Sequence, residues 1–597
     1  MDVSSVSPRK VLAIGAMLAL TVSACATTTV TPSPTVAASA APTGTAKPST
    51  LFTRGQGGDL KVLYWQAPTI LNPHQATGTK DADPSRLVLE PLASYGPDGK
   101  PIANTLAASI PTVENGGVSK DLTTVTYTLK PGLKWSDGSA FSVDDVVFTF
   151  NYQKDPKSAV TTSDDVDGVK SVEAVGTDKI KVTYDKPNAN YYQYGVYSGF
   201  VLQKAQFGSC IGEAAAKCPA NLKPIGTGPY KIVDFKPNDN ISFAMNENFR
   251  DASKPFFKTV SWKGGGEAPT AARAAFQTGE VDYAWNLQVD APLLKSLSTA
   301  SDAKANLVTV YGNSVERILL NFSNPDPALG DKRAEPDTKH PYLTDLAVRR
   351  ALAMATDRAT VGKELYGDGL AGKASCNIIN GPEQYNSTAT ASFDVCKFDL
   401  AAANAELDKA GYVKGADGVR AKGNVRLEMT YQTTNSSVRQ STQTIMKKNW
   451  EAIGFKVTLK AFPAGTFFTN TSPDGANHFW ADVEMYTNSG APDPILSLRP
   501  TWTTKNIASK ANNWQGNNYA RYSDATYDKM IDDLGNITDP AKYVDAVKAA
   551  NDYLIKNVVI IPLVNRTFAT SGVSKTLKGV NPSPWDQETY NIQDWYK

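Results

Sequence analysis

The sequence predicts an α/β fold built on an open sheet, and three stretches carry that prediction. Arg426–Gln432 reads as a strand, Ser437–Ile453 as an amphipathic helix stopped by Gly454, and Phe455–Leu459 as a second strand. That order is the βαβ grammar of open sheets. Thr126–Phe150 runs strand, turn, helix. Thr126–Lys130 alternates residues of high β propensity with others, Pro131-Gly132 breaks the run, and Leu133–Trp135 resumes it. Asp137-Gly138 then supplies a positive-φ turn, and Ser142 with Asp145 three residues on forms a variant capping box. Val558–Val564, apolar apart from Pro562, suits a buried strand. In such sheets ligands sit at the carboxyl ends of the strands.

At 597 residues the chain accommodates two or three domains with full cores. Its 61 Lys and Arg are scattered and balanced by 59 Asp and Glu, which argues against a nucleic-acid partner. Arg9-Lys10 precede the apolar Val11–Val22, a segment suited to an export signal and short for a membrane span. It leads through Ser23-Ala24 to Cys25. Small residues before a cysteine resemble a bacterial lipobox. On that basis residues 1–25 are a signal peptide, and Cys25 is the lipidated first residue of a chain anchored on the outer face of the cytoplasmic membrane. Plain secretion with an incidental cysteine is the alternative. Several acyl chains at about 0.8 kcal/mol per buried CH₂ would make the anchor firm. Residues 26–57, rich in Thr, Ala, Pro and Ser, are expected to form a disordered tether. The four remaining cysteines suggest two disulfides, most simply Cys210–Cys218 and Cys376–Cys396, each closing a local loop. Neither pair has zinc-ligand spacing.

Leu60–Trp65 is the first predicted strand, followed by Pro68–His74. Val172–Val175 and Lys179–Tyr184 form a β pair across Gly176-Thr177-Asp178. The tyrosines at 191, 192, 194 and 197 suit packing, with a ligand platform as the alternative. Gly226-Thr227-Gly228 lacks a third glycine and precedes a strand (Tyr230–Phe235), which argues against a nucleotide loop. Ile318–Phe322 is a strand. After it, Val348, Ala351, Leu352 and Ala355 fall at i, i+3, i+4 and i+7, one buried helical stripe, with Arg349 and Arg350 expected on the solvated flank.

Several of these segments together resemble the family 5 extracellular solute-binding proteins, the receptors of peptide, nickel and related ABC importers. The resemblance is carried by LKPGLKWSDGSAFSVDDVVFTF ending at Phe150, GDLKVLYWQAPTILNPH ending at His74, GTGPY at Gly226–Tyr230, and Leu343–Arg358. It implies a two-lobed periplasmic-binding-protein-like type II fold with an extra subdomain in the N-terminal lobe. Residues 58–100, 225–315 and 563–597 would form the core of lobe I, 101–224 the subdomain, and 316–562 lobe II. Ligand would sit between the lobes and favour their closure. Peptide-binding members of the family carry an aspartate for the ligand's α-ammonium a few residues before an Asp-Pro. Here Gly490, or Asn488, stands at that place ahead of Asp493-Pro494, which weakens the assignment to free peptides. Asp493 is expected to be a turn residue.

No catalytic motif is present: no H-E-x-x-H, G-x-S-x-G or Walker loop. Ser163–Gly168 faintly echoes a calcium loop, but Ala174 stands where its glutamate belongs. The expectation is a monomeric binding protein without cofactor or bound metal that delivers peptides to permease subunits. A glycan, a glycolipid or a role without transport are the alternatives. Nickel is disfavoured by the presence of only His74, His340 and His478. The expected ligand contacts are Trp65, Gln66, Thr69, Tyr486, Asn488, Trp502, Trp514 and Asn565, with ordinary packing as the alternative for each.

Overall fold

Short stretches rich in β-branched and aromatic residues build an 11-stranded mixed sheet. The computed structural model describes residues 52–76, 78–197, 199–469 and 472–597. The expected signal peptide, Cys25 and most of the tether lie outside the described residues. The sheet strands, numbered in chain order, are β1 (Gly57–Tyr64), β2 (Tyr230–Lys236), β3 (Asn240–Met245), β4 (Phe257–Gly264), β5 (Tyr283–Trp285) and β6 (Ala305–Leu320). They continue with β7 (Gly372–Ala374), β8 (Glu428–Thr434), β9 (Lys456–Phe462), β10 (Val483–Gly490) and β11 (Ile560–Ser574). Their spatial order is β9-β8-β10-β6-β11-β5-β1-β4-β3-β2, with β7 against β11.

β1 is parallel to β4 and β5, and β8 is parallel to β9 and β10. Between these sets the pairs β10–β6, β6–β11 and β11–β5 are antiparallel, so the two parallel sets run in opposite directions. They are also offset along the long strands. β5 meets Gly572 and Val573 near the end of β11, whereas β10 meets Asn313–Leu320, the second half of β6. The carboxyl ends of both sets therefore converge on the middle of the β6–β11 ribbon. There the register shifts between Val310 and Val315 and again between Glu316 and Arg317.

A second, three-stranded sheet (Thr124–Thr128, Lys179–Tyr184, Val169–Val175) packs its own core of Tyr127, Trp135, Ile180 and Val182 with the helix Val143–Lys154. The β pair across Gly176–Asp178 and the Ser142–Asp145 capping box are both present; Ser142 N donates to Asp145 at 2.9 Å. The expected strand at Leu133–Trp135 reduces to a single bridge, Lys134–Ala140, because the tight turn at Asp137-Gly138 folds the chain straight back. Both disulfides form as expected, Cys210–Cys218 and Cys376–Cys396.

Three other expectations are corrected. Arg349 is buried, because its guanidinium ties Leu343 O (2.9 Å) to Asn557 O (3.0 Å); only Arg350 stays at the flank, 3.1 Å from Glu406. The stripe Val348, Ala351, Leu352 and Ala355 is fully buried beside it. Residues 52–57, expected in the tether, are packed: Phe52 meets Phe256 edge-on at 5.2 Å, and Gly55 N donates to Pro255 O. The last strand does not end near Val564 but continues to Ser574, because it stays paired with β6 as far as Ala305. Beyond it the chain folds back on β5, with Trp595 4.9 Å from Tyr283 and Lys597 2.6 Å from Asp282. Among the described residues no helix is long and apolar enough to cross a membrane.

Glycine explains the Gly226-Thr227-Gly228 turn. A Cβ on Gly226 would lie 1.9 Å from Val88 O and one on Gly228 2.5 Å from Leu87 O, so two backbones pass in contact here. Gly228 N donates to Val88 O at 2.8 Å, a structural junction with no phosphate cradle in it.

Candidate functional site

The converging strand ends enclose a cavity of about 420 Å³. Gln66 follows the end of β1 and Asn286 and Gln288 follow β5, while Thr487–Gly490 close β10 from the opposite direction. The three-stranded subdomain contributes Thr161–Thr162, Asp164–Asp165, Tyr197 and Phe200. The ribbon itself contributes Ser314 and Arg317 from β6 and Arg566 and Phe568 from β11. A mixed apolar and polar lining of this size suits a small solute.

Strand alternation divides the charged groups between two faces. On one face of β6 and β10, Arg317 is paired in register with Tyr486 and Val315 with Asn488. The Arg317 guanidinium lies 5.3 Å from the Tyr486 ring centre and 5.4 Å from that of Trp502. On the other face Glu316 receives Arg439 at 2.7 Å and the Thr487 hydroxyl, and Arg439 also reaches Thr434 at 2.9 Å. Burial pushes the Glu316 carboxyl up, but the guanidinium of Arg439, with Thr487 and Arg566, more than offsets it and holds the group below its usual range. Arg566 donates to Asn286 and, at 3.2 Å, to Thr487, so it joins β5, β10 and β11. Glu588 accepts from Tyr283 and from Ser571 (2.8 Å), and burial pushes its carboxyl up to about 7.

The subdomain reaches across to the loops after β10. Asn517 donates to Asp164 at 3.0 Å, and Lys505 meets Asp167 at 2.5 Å. Burial raises Asp164 to about 6. The faint calcium-loop stretch thus forms part of the cavity wall and bridges to Asn517 and Lys505. Among the described residues no group of three His, Cys, Asp or Glu side chains could hold a metal.

Of the expected contacts, Gln66, Tyr486 and Asn488 line the cavity. Thr69 stands one layer behind, accepting from the cavity-lining Lys80 at 2.8 Å. Trp65 is core, its indole donating to Asn286 O at 2.7 Å, and Trp502 is buried beneath Arg317. The Trp514 ring lies tilted against His478 at 4.6 Å, and its backbone carbonyl accepts from the cavity-lining Asn477 at 3.0 Å. Asn565 is buried on β11 next to Arg566, with its side-chain oxygen lacking a hydrogen-bond partner. Asp493 is held in its turn by Ile495 N (3.2 Å) and the Tyr543 hydroxyl. Sequence reasoning missed Lys80, Asp164, Arg317, Arg439, Arg566 and Glu588. The one available signal was Glu316-Arg317, two charges directly before the apolar strand Ile318–Leu320.

Comparison with known proteins places this geometry. Residues 102–509 match the model of the bacterial extracellular solute-binding proteins, family 5. The chain is 24% identical over 551 residues to the oligopeptide-binding protein AppA of Bacillus subtilis, covering 91% of this chain and 92% of that one. The structure of AppA in complex with a nonapeptide superposes with a TM-score of 0.78 at 21% identity, covering 91% of this chain and 99% of that one. NikZ of Campylobacter jejuni in complex with Ni(L-His) gives 0.74 at 24% identity, covering 90% and 99%. These neighbours share the two-lobed fold of periplasmic binding proteins. The chain belongs to the family 5 extracellular solute-binding proteins, which serve transporters as binding proteins and not as enzymes.

Proposed function

We propose that this protein is the substrate-binding lipoprotein of an ABC importer that captures di- or oligopeptides between its lobes and hands them to permease subunits. The observation that carries the proposal is the cavity itself: both parallel strand sets and the subdomain contribute walls, so a bound solute would touch all of them and favour closure. Backbone amides and carbonyls at strand ends suit a peptide main chain, and a cavity of mixed polar and apolar lining would tolerate varied side chains. The proposed division is lobe I from 58–100, 225–315 and 563–597, the subdomain from 101–224 and lobe II from 316–562. Lipid on Cys25 would hold the receptor beside its permease.

The test is mass spectrometry of solute released from the purified full chain, followed by titration of the identified solute. Peptides with micromolar or tighter binding support the reading. A second reading, a non-peptide solute, is favoured by one observation: the position that would carry the α-ammonium partner is Gly490, or the neutral Asn488. Release of a sugar or other non-peptide would support it instead.

A further inference from the structure

Among the described residues four cations line the cavity, and three are already engaged. Lys80 meets Asp81 at 2.7 Å, Arg439 meets Glu316 at 2.7 Å, and Arg566 donates to Asn286 and Thr487. Arg317 differs. It is 2% exposed, its Nε has no hydrogen-bond partner, and among the described residues no carboxylate lies within ion-pair distance. A buried guanidinium is costly to leave unpaired, while its planar fork matches a carboxylate with two parallel N–H donors. The Tyr486 and Trp502 rings lie 5.3 and 5.4 Å from the guanidinium, and the neutral Tyr486 hydroxyl is within its reach; neither neutralises the charge.

The acids around the cavity do not offer the reverse arrangement. Glu316 is taken by Arg439, Asp164 by Asn517, and Glu588 by Tyr283 and Ser571, while Asp165 accepts from Gln153 at 3.3 Å. Glu484, one layer behind, accepts from Gln432 and makes no ion pair with Arg317; burial pushes its carboxyl up against the opposing pull of Gln432, Arg521 and Arg317. Nor can the Gly490 position acquire an acid cheaply: a Cβ there would lie 2.3 Å from Ser497 Oγ and 2.7 Å from Asn313 Nδ2.

From this imbalance we infer that Arg317 is the carboxylate receptor of the cavity, and that the solute is an acid bound without recognition of a free α-ammonium, such as an N-blocked peptide. The inference rests on the solute-binding reading and narrows it to acidic ligands. Strand register supports the assignment. The shift between Glu316 and Arg317 sets Arg317 opposite Pro562 on β11 and in register with Tyr486 on β10, and both Arg317 and Tyr486 line the cavity.

The test uses the full chain and four probes in titration calorimetry: trialanine, N-acetyl-trialanine, trialanine amide and N-acetyl-trialanine amide. The expected result is that acetylation is tolerated, that either amide binds about 10- to 100-fold more weakly, and that Arg317→Gln removes the preference for the acid without weakening the amides. Should Arg317→Gln fail to fold, Arg317→Lys asks the same question. Loss of the planar fork then reduces the preference for the acid while leaving a positive charge. Amides binding as tightly as acids, or acetylation abolishing binding, would overturn the inference. If none of the four binds, the solute released from wild type and from Arg317→Gln decides the inference, and its chemical class decides the peptide reading separately. An acid, peptide or not, present in the first and missing from the second upholds the inference. A neutral or cationic solute, or no solute in the wild type, sinks it.

Discussion

Replacing Arg439 with methionine would strand the Glu316 carboxylate in an interior where both side chains are at most 3% exposed. Removing one member of a buried pair costs roughly 3–5 kcal/mol, because the remaining charge keeps its desolvation penalty and loses its partner. Spread over the unfolding entropy of a chain this long, that corresponds to a fall in Tm of roughly 3–4 °C if the described residues melt as one unit. Glu316→Gln alone strands Arg439 and should also be costly. The double variant, with no charge left to strand, should lose clearly less than the two single losses added together. Urea unfolding followed by tryptophan fluorescence, with thermal melts alongside, gives all four corners of the cycle. The sign with pH is fixed as well. The folded Glu316 carboxyl is held below its usual range, so its contribution is present above the unfolded pKa and is lost as pH falls through the folded value. Acid sensitivity should therefore lessen in Glu316→Gln. Strict additivity of the two single variants, or a loss below about 1 kcal/mol for Arg439→Met, would refute the reasoning.

Three further outcomes are expected. Gly226→Ala should destabilise by at least 1–3 kcal/mol, roughly, since the new methyl meets the backbone at Val88 and no side chain can yield; chemical denaturation measures it. Joint replacement of Cys376 and Cys396 by serine opens a loop of sequence separation 20 and should cost about 3 kcal/mol in chemical denaturation, whereas reductant should cost the parent more than this because it opens Cys210–Cys218 as well. Glu588 has a raised carboxyl near 7, so its contribution is fully present below the unfolded pKa and fades as pH rises through about 7. The fall in Tm between pH 5 and pH 8 should thus be smaller in Glu588→Gln than in the parent.

Local grammar was legible in the sequence because it rests on local causes. The capping box at Ser142, the turn at Gly176–Asp178 and the apolar stripe of Val348–Ala355 need only neighbours in the chain. The charged residues of the cavity were not legible, because their roles come from distant partners. Arg439 is explained by Glu316, and Glu588 by Tyr283 and Ser571. Arg349 was misjudged for the same reason: its carbonyl acceptors include Asn557 and Val558, about two hundred positions away. Aromatic residues misled in the opposite direction. Trp65 and Trp502 look like ligand surfaces in a sequence, but their size makes them core, and their neighbours Gln66 and Arg317 face the space instead.

The pairing of β5 with Gly572 and Val573 bears on how the molecule is made. The half-sheet begun by β1 lacks a neighbour on one side until nearly all of the chain has emerged, although most of its residues come first. A nascent polypeptide stopped short of its final few dozen residues would therefore present an apolar, unsatisfied border, the kind that recruits strands from other molecules. Late nonsense mutations should accordingly yield aggregated or degraded material and no half-working receptor.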